Sequence, residues 1–478
     1  MDVVAVIDSG VFEPCEIKLQ VSENDARVYA CQSSLRLLPG RRLTTLASSA
    51  GKKYVIKVFP QRQRSLREYE KELAGYELLH ATAMDIPPRI YHGPASGGIN
   101  IIVYQYISRA RTLLEVFEAK PASRHQRVHF HQLAQLLARM HGQGLIHEDP
   151  HLGNFLLKGD VITVLDVGAV RRTSNAMLME KNYGMFVAQF PMSWQVESDF
   201  YQAYLGDRTV DSEHETRLHQ QVYSSQQWRE KHYLKKIFRE CSAFHVHSFI
   251  SGKMIIDRDF ISKNLLKLLE DPTSMFEGED VQMLKEGNSS SVGAVSIDGQ
   301  RYVIKRYNVK NWLHRLKLIF TESRASRSWR NAHRMILRGF PVARPVALLE
   351  CYKGRRSGIS VFVMQHLAGP NSANYFLDSE IGGDEKRGTA QKMLDLINEM
   401  HEERLVHGDL QSTNFIITDD GPVIIDLDSM KDMANRSGLQ AEIKKELQRF
   451  EKNWEDDAEI KSLFSELMMP LAKASNNE

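Results

Sequence analysis

Cysteine, long apolar runs and excess charge of one sign are all scarce in this chain. Its four cysteines (Cys15, Cys31, Cys241 and Cys351) form no CxxC and no Cys/His ligand set, which leaves reduced core thiols in a cytoplasmic protein as the expectation. No stretch reaches the roughly 18 uninterrupted apolar residues of a membrane-spanning helix. The opening Met-Asp-Val-Val-Ala-Val-Ile-Asp lacks the basic region and apolar run of a secretory signal. Lysine and arginine number 62 against 60 acidic residues, a net charge of +2, so no global field attracts nucleic acid and none is expected as a partner. Composition is that of a soluble globular chain, and 478 residues exceed one ordinary core, so two or three domains are expected.

What the chain does have is one stretch that occurs twice. The first copy runs Gly144-Leu-Ile-His147-Glu-Asp149-Pro-His-Leu-Gly-Asn154 and reaches Val-Leu-Asp166-Val-Gly168; the second runs Arg404-Leu-Val-His407-Gly-Asp409-Leu-Gln-Ser-Thr-Asn414 and reaches Ile-Ile-Asp426-Leu-Asp428. Each matched pair is 260 positions apart (407−147, 409−149, 414−154, 426−166), and Met140-His141 recurs as Met400-His401. A loop bearing Asp and Asn, followed by an apolar hairpin and a second Asp, gathers three oxygen-bearing side chains around one small volume. The first Asp suits orienting or deprotonating a hydroxyl; the Asn and the later Asp suit Mg2+ on nucleotide phosphates. His147 reads as a structural brace for its loop and His151 as an exposed loop histidine.

A second element also repeats. Tyr54-Val-Ile-Lys57 returns as Tyr302-Val-Ile-Lys305, an offset of 248 (305−57). A lysine inside a β-branched strand is costly to bury without an anion; ATP phosphates and a helix glutamate would serve. The helical stretch Ser65–His80 offers Glu68 and Glu72 at i, i+4, and either suits Lys57. If the Pro87 and Pro341 loops are matched, an offset of 254 (341−87), Glu322 falls opposite Glu68 and becomes the expected partner of Lys305. Ile101–Ile107 reads as a strand leading to a hinge, and Phe130, Leu133, Leu137 and Met140 as the core face of a helix. Residues 171–275 read as mostly helical, with no legible motif. Leu284-Lys-Glu-Gly-Asn-Ser-Ser-Ser is a strand and a Gly/Ser turn, weak as a phosphate loop by itself. Between Lys310 and Arg338 lie eight Lys or Arg and one acid, Glu322, a basic excess suited to phosphate-bearing lipid or glycan, or simply a solvated helix face. Residues 436–473 read as an amphipathic closing helix.

These elements resemble the protein-kinase-like fold in its bacterial small-molecule branch. The second half is similar to the lipopolysaccharide kinases (the Kdo kinase/WaaP group) through Val303-Ile-Lys-Arg-Tyr-Asn308, Ser323-Arg-Ala-Ser-Arg-Ser-Trp-Arg-Asn-Ala-His333 and Gly339-Phe-Pro-Val-Ala-Arg-Pro345. The first half is similar through Tyr54–Lys57, Glu72-Leu-Ala-Gly and His147–Asn154. The resemblance implies an α+β chain of two tandem bilobal domains, each a small antiparallel sheet lobe and a helical lobe. They would span residues 1–270 (lobes about 1–107 and 108–270) and 271–478 (about 278–368 and 369–478). It also implies ATP-dependent phosphorylation of a lipopolysaccharide inner-core sugar, heptose or Kdo. Lys57 and Lys305 would hold ATP phosphates, oriented by Glu68 or Glu72 and by Glu322. Asp149 and Asp409 would act on the acceptor hydroxyl. Asn154 with Asp166, and Asn414 with Asp426 and Asp428, would carry Mg2+. Implied partners are a lipid-linked core glycan, the cytoplasmic face of the inner membrane and other core enzymes. The alternatives are one active half with a regulatory pseudokinase, or a kinase-fold phosphotransferase for another small-molecule or protein hydroxyl.

Overall fold

A computed structural model describes residues 2–22, 25–118, 124–189, 194–206, 208–209, 212–241, 243–249, 252–272, 275–278, 281–287, 289–308, 322–351, 358–433 and 437–474. The chain divides into two compact units, Met1–Arg229 and Glu230–Glu478.

The first unit opens with an antiparallel six-stranded sheet. Its spatial order is Cys15–Ser22, Asp25–Leu38, Arg42–Ser49, Lys52–Pro60, Ile99–Gln105 and Arg89–Ala95. Strand alternation places successive side chains on opposite faces. In Lys52–Pro60, Ile56 and Val58 join a core with the short helix Val3–Ser9. Val55 and Phe59 face a second core shared with the helix Gln63–Ala81 and the helical lobe. Lys57 lies between those two, on the side where the lobes meet. The helical lobe contains Arg124–Gly142, Ala176–Val187 and Trp194–Leu205. The hairpin Phe155–Lys158/Val161–Val164 carries the site loops at its ends.

In the second unit the sheet has seven strands. They run Phe244–Phe249, Gly252–Asp257, Pro345–Cys351, Ser360–Gln365, Gln300–Tyr307, Ser290–Ile297 and Val281–Glu286. The helix Arg324–Leu337 begins where Ser323 Oγ accepts from the Ser326 N–H at 3.0 Å, an N-cap. Ala325, Trp329, Ala332 and Met335 then recur at helical spacing and sink into the core. Gly383–Glu402, Leu439–Lys452 and Ala458–Ala474 complete the helical lobe. Each unit is α+β with a sheet lobe and a helical lobe, as the sequence predicts.

Three expectations differ from the structure. The division falls at Arg229/Glu230, not at 270/271, because residues 244–257 form a hairpin whose Gly252–Ile256 pairs with Ala347–Cys351 at the edge of the second sheet. That hairpin sits within 171–275, which the sequence reads as mostly helical. The closing segment is two helices, broken where the Asp457 carboxylate caps the second by accepting from the N–H groups of Glu459 and Ile460 at 3.0 Å. Of the basic stretch, residues 309–321, with Lys310, Arg315 and Lys317, lie outside the described residues, as does the side chain of Phe130.

Candidate active site

The repeated loop is built the same way in both units. Leu165 N–H donates to the Asn154 carbonyl (2.8 Å) and Ile425 N–H to the Asn414 carbonyl (3.0 Å). Each of these backbone bonds brings the Asn alongside the residue that follows the hairpin, Asp166 or Asp426. Asn154 Nδ2 and Asn414 Nδ2 each donate to the carbonyl of the loop aspartate, Asp149 or Asp409, both at 2.9 Å. The amide nitrogen is thereby consumed within the loop, and the amide oxygen is the atom left for a cation. Asp166 and Asp426 both adopt left-handed backbone, with φ of 38° and 63°. Non-glycine residues in that region are uncommon and concentrate at functional sites.

Both strand lysines reach these aspartates. Lys57 Nζ pairs with Glu72 and lies 3.6 Å from Asp166 Oδ1. Lys305 Nζ pairs with Asp426 and lies 3.9 Å from Asp428 Oδ2. Burial works to raise the pKa of Asp166, but the charges of Lys57 and then Arg42 outweigh it and hold the carboxyl below its ordinary 3.8. Tyr104, whose hydroxyl donates to Glu72 at 3.2 Å, is raised far above its ordinary range by burial and then by Glu72.

Two expected pairings are corrected. Glu68 bonds Arg41, with Arg42 Nε at 3.8 Å; Glu72, one turn on, is the partner of Lys57. Glu322 does not meet Lys305. It pairs with Arg330 at 2.8 Å and accepts from the Ser326 hydroxyl at 3.1 Å. The proline match was two residues out of register. Val164 N–H donates to the Asp85 carbonyl and Ile424 N–H to the Pro341 carbonyl, so the true offset here is 256 (341−85). Glu68 then corresponds to Arg324, and Glu72 to Ser328.

The histidines brace rather than react. His147 is buried against Phe155, with ring centroids 5.8 Å apart, and burial lowers its pKa. His407 Nε2 contacts the Ile425 carbonyl at 3.0 Å, and its Nδ1 accepts from the Asp409 N–H at 3.3 Å. His151 Nδ1 accepts from the Gly153 N–H at 3.1 Å, capping a turn.

Sequence reasoning missed the supports beneath the loops. His141 sits between the Tyr204 hydroxyl (2.8 Å) and Asn182 Oδ1 (3.1 Å), and Asn182 Nδ2 donates to the His147 carbonyl at 2.6 Å. In the second unit His401 Nε2 meets Glu446 Oε2 at 2.9 Å, while Glu446 Oε1 accepts from the Gly408 N–H at 2.6 Å. The same peptide is therefore held by its carbonyl in one unit and by its N–H in the other. The second arrangement needs Gly408, which has φ of 80°, and a Cβ there would lie 2.5 Å from the Ser429 carbonyl oxygen. Two further residues of the same chain segment follow suit. Arg449 Nη1 donates to the Gly408 carbonyl (2.9 Å) and to Asp409 Oδ1 (3.1 Å), and Asn453 Nδ2 to the Leu410 carbonyl (3.1 Å). The recurrence of Met-His was the one sequence signal for these supports.

The donor sets fit Mg2+ only as a nucleotide-borne ion. Among the described residues no group of three or more His, Cys, Asp or Glu could hold a metal. One carboxylate and one amide oxygen per unit leave most positions to phosphate oxygens and water, which Mg2+ prefers.

No curated protein was found to match the chain. Residues 294–463 match the RIO domain family, 170 of 478 residues (463−294+1). The match takes in Lys305, Asp409, Asn414, Asp426, Asp428 and Glu446, and does not extend to the first unit. The matched family is the RIO domain, a different family from the lipopolysaccharide kinases to which the sequence motifs are likened. The second unit thus carries an atypical protein-kinase-like domain, the fold of an ATP-binding phosphotransferase.

Proposed function

We propose that the chain is an ATP-dependent kinase acting on a sugar hydroxyl of the lipopolysaccharide inner core, heptose or Kdo. The observation that carries the reading is the convergence, in each unit, of a strand lysine on the aspartate after the hairpin (Lys57 with Asp166, Lys305 with Asp426). Phosphoryl transfer asks mainly for positioning and charge neutralisation. Lys57 and Lys305 would hold the phosphates, and Asp149 and Asp409 would orient the acceptor hydroxyl and take its proton. Asn154 with Asp166, and Asn414 with Asp426, would hold Mg2+, which when bound supplies charge neutralisation between the phosphates. The sugar acceptor is supported by the resemblance of Ser323–His333 and Gly339–Pro345 to lipopolysaccharide kinases.

A lipid-linked acceptor would place the protein at the cytoplasmic face of the inner membrane, beside other core enzymes. Arg324, Arg330, Arg334 and Arg338 are engaged in ion pairs within their unit, so membrane attraction would fall to Arg327 and to Lys310, Arg315 and Lys317. Each cation near an anionic surface contributes about 1 kcal/mol. A regulatory second half is favoured by one feature: among the described residues no helix glutamate meets Lys305. Incubating the protein with γ-labelled ATP and purified core glycolipid tests the reading. Label should enter the glycolipid; label entering only protein or a small metabolite would replace the acceptor class.

A further inference from the structure

We propose that Asp428 is the lysine-positioning residue of the second unit, the part Glu72 plays in the first, and that the exchange is coupled through the helix residue facing it. The proposal rests on the kinase reading and names a role within that site. In the first unit the carboxylate comes from the helix, and the loop residue two beyond Asp166 is Gly168. A Cβ on Gly168 would lie 2.7 Å from Glu72 Oε2 and 3.3 Å from the Glu72 backbone. Besides Asp166 there is room for one further carboxylate at Lys57, and the glycine leaves it to the helix.

The second unit reverses both positions. Ser328 stands at the helix position of Glu72, buried, its hydroxyl 2.8 Å from that of Tyr307. The loop residue two beyond Asp426 is Asp428, 4% exposed, with Oδ2 at 3.9 Å from Lys305 Nζ. A buried carboxylate needs partners, and Asp428 has them on both oxygens. Arg324 reaches Oδ2 from Nη2 (2.6 Å) and Nε (2.8 Å), and the Ser429 hydroxyl donates to Oδ1 at 3.1 Å. Arg324 also lies over the Tyr307 ring, 4.8 Å from its centroid. Helix, loop and lysine are thus joined in both units: directly by Glu72 in one, through Arg324 and Asp428 in the other. A cation bound by Asp428 would have to displace the guanidinium, so its place in the site is beside the lysine rather than on Mg2+.

The test is a double-mutant cycle on the full chain carrying Lys57→Met, so that the second unit alone is read. Binding of a fluorescent ATP analogue and ATP protection of Lys305 from an acylating probe are followed for Asp428→Gly, Asp428→Asn, Ser328→Glu and Asp428→Gly/Ser328→Glu. Each single change should weaken nucleotide binding about tenfold, and the double variant should recover to within about threefold of the parent, a coupling of the size contacting residues show. Asp428→Asn keeps the side-chain shape, so its loss of Lys305 protection separates positioning from packing. Purely additive losses, or unchanged binding and protection in Asp428→Asn, would overturn the proposal while leaving the kinase reading intact. A parent protein that binds no nucleotide would overturn the proposal together with the kinase reading of the second unit.

Discussion

Removing the Glu446 carboxylate probes how the second unit holds its loop. Glu446 is 5% exposed and bridges His401 Nε2 (2.9 Å) and the Gly408 N–H (2.6 Å). Alanine there strips a hydrogen bond with an acidic acceptor from each of two buried groups, each bond contributing about 1.5–3 kcal/mol, and leaves the Gly408 N–H without its acceptor. It also removes the buried Cγ methylene, worth about 0.8 kcal/mol. Since these effects overlap, the expected cost is about 3–5 kcal/mol for the second unit. Glu446→Gln keeps an acceptor for Gly408 and can donate to His401, so its cost should stay near 1 kcal/mol. Urea unfolding of both variants, with the second unit's transition followed through tryptophan fluorescence (Trp329 and Trp454 are buried there), gives the comparison. Glu446→Ala costing under 1 kcal/mol, or costing no more than Glu446→Gln, would refute the assignment of Glu446 as the strut of this loop.

Two further outcomes follow from contacts in the first unit. Glu72→Gln should weaken nucleotide binding by that unit about tenfold, whereas Glu68→Ala, which only frees Arg41 and Arg42, should change it less than threefold; isothermal titration with Lys305→Met as background checks both. Burial pushes the pKa of His141 down to about 4 from 6.5, so the unfolded chain takes up this proton first as pH falls. The stability it contributes is whole above pH 6.5 and is lost by about 1.4 kcal/mol per unit down to about pH 4. Denaturant unfolding of the first unit at pH 7, 6 and 5 should show a flatter slope in His141→Gln than in the parent protein.

Much of the site was legible because its chemistry is local in sequence. The spacings from His147 to Asp166 and from His407 to Asp426 encode a loop and hairpin directly, and Tyr-Val-Ile-Lys marks its strand by β-branched residues around one charge. Choosing between Glu68 and Glu72 needed the phase of the helix, which a pair at i, i+4 leaves open. Glu322 was misplaced because prolines were matched, whereas backbone bonds at Asp85 and Pro341 set the register two residues away. The hairpin 244–257 escaped notice because its outer strand, Phe-His-Val-His-Ser-Phe, is half polar, and only its pairing to Pro345–Cys351 identifies it as sheet. Glu446, Arg449 and Asn453 belong to no motif. They act by reaching residues about forty positions earlier, which only the folded chain brings near.

The most direct test of a two-site kinase is transfer of labelled phosphate from ATP to core glycolipid by Asp149→Asn, Asp409→Asn and the double variant. Each single change should remove a separable product by about 10²-fold or more, the scale of a lost general base, and the double variant should transfer nothing above background. If one single change abolishes every product, a single active half with a regulatory companion replaces the two-site account. Undiminished transfer by the double variant would contradict the catalytic assignment itself.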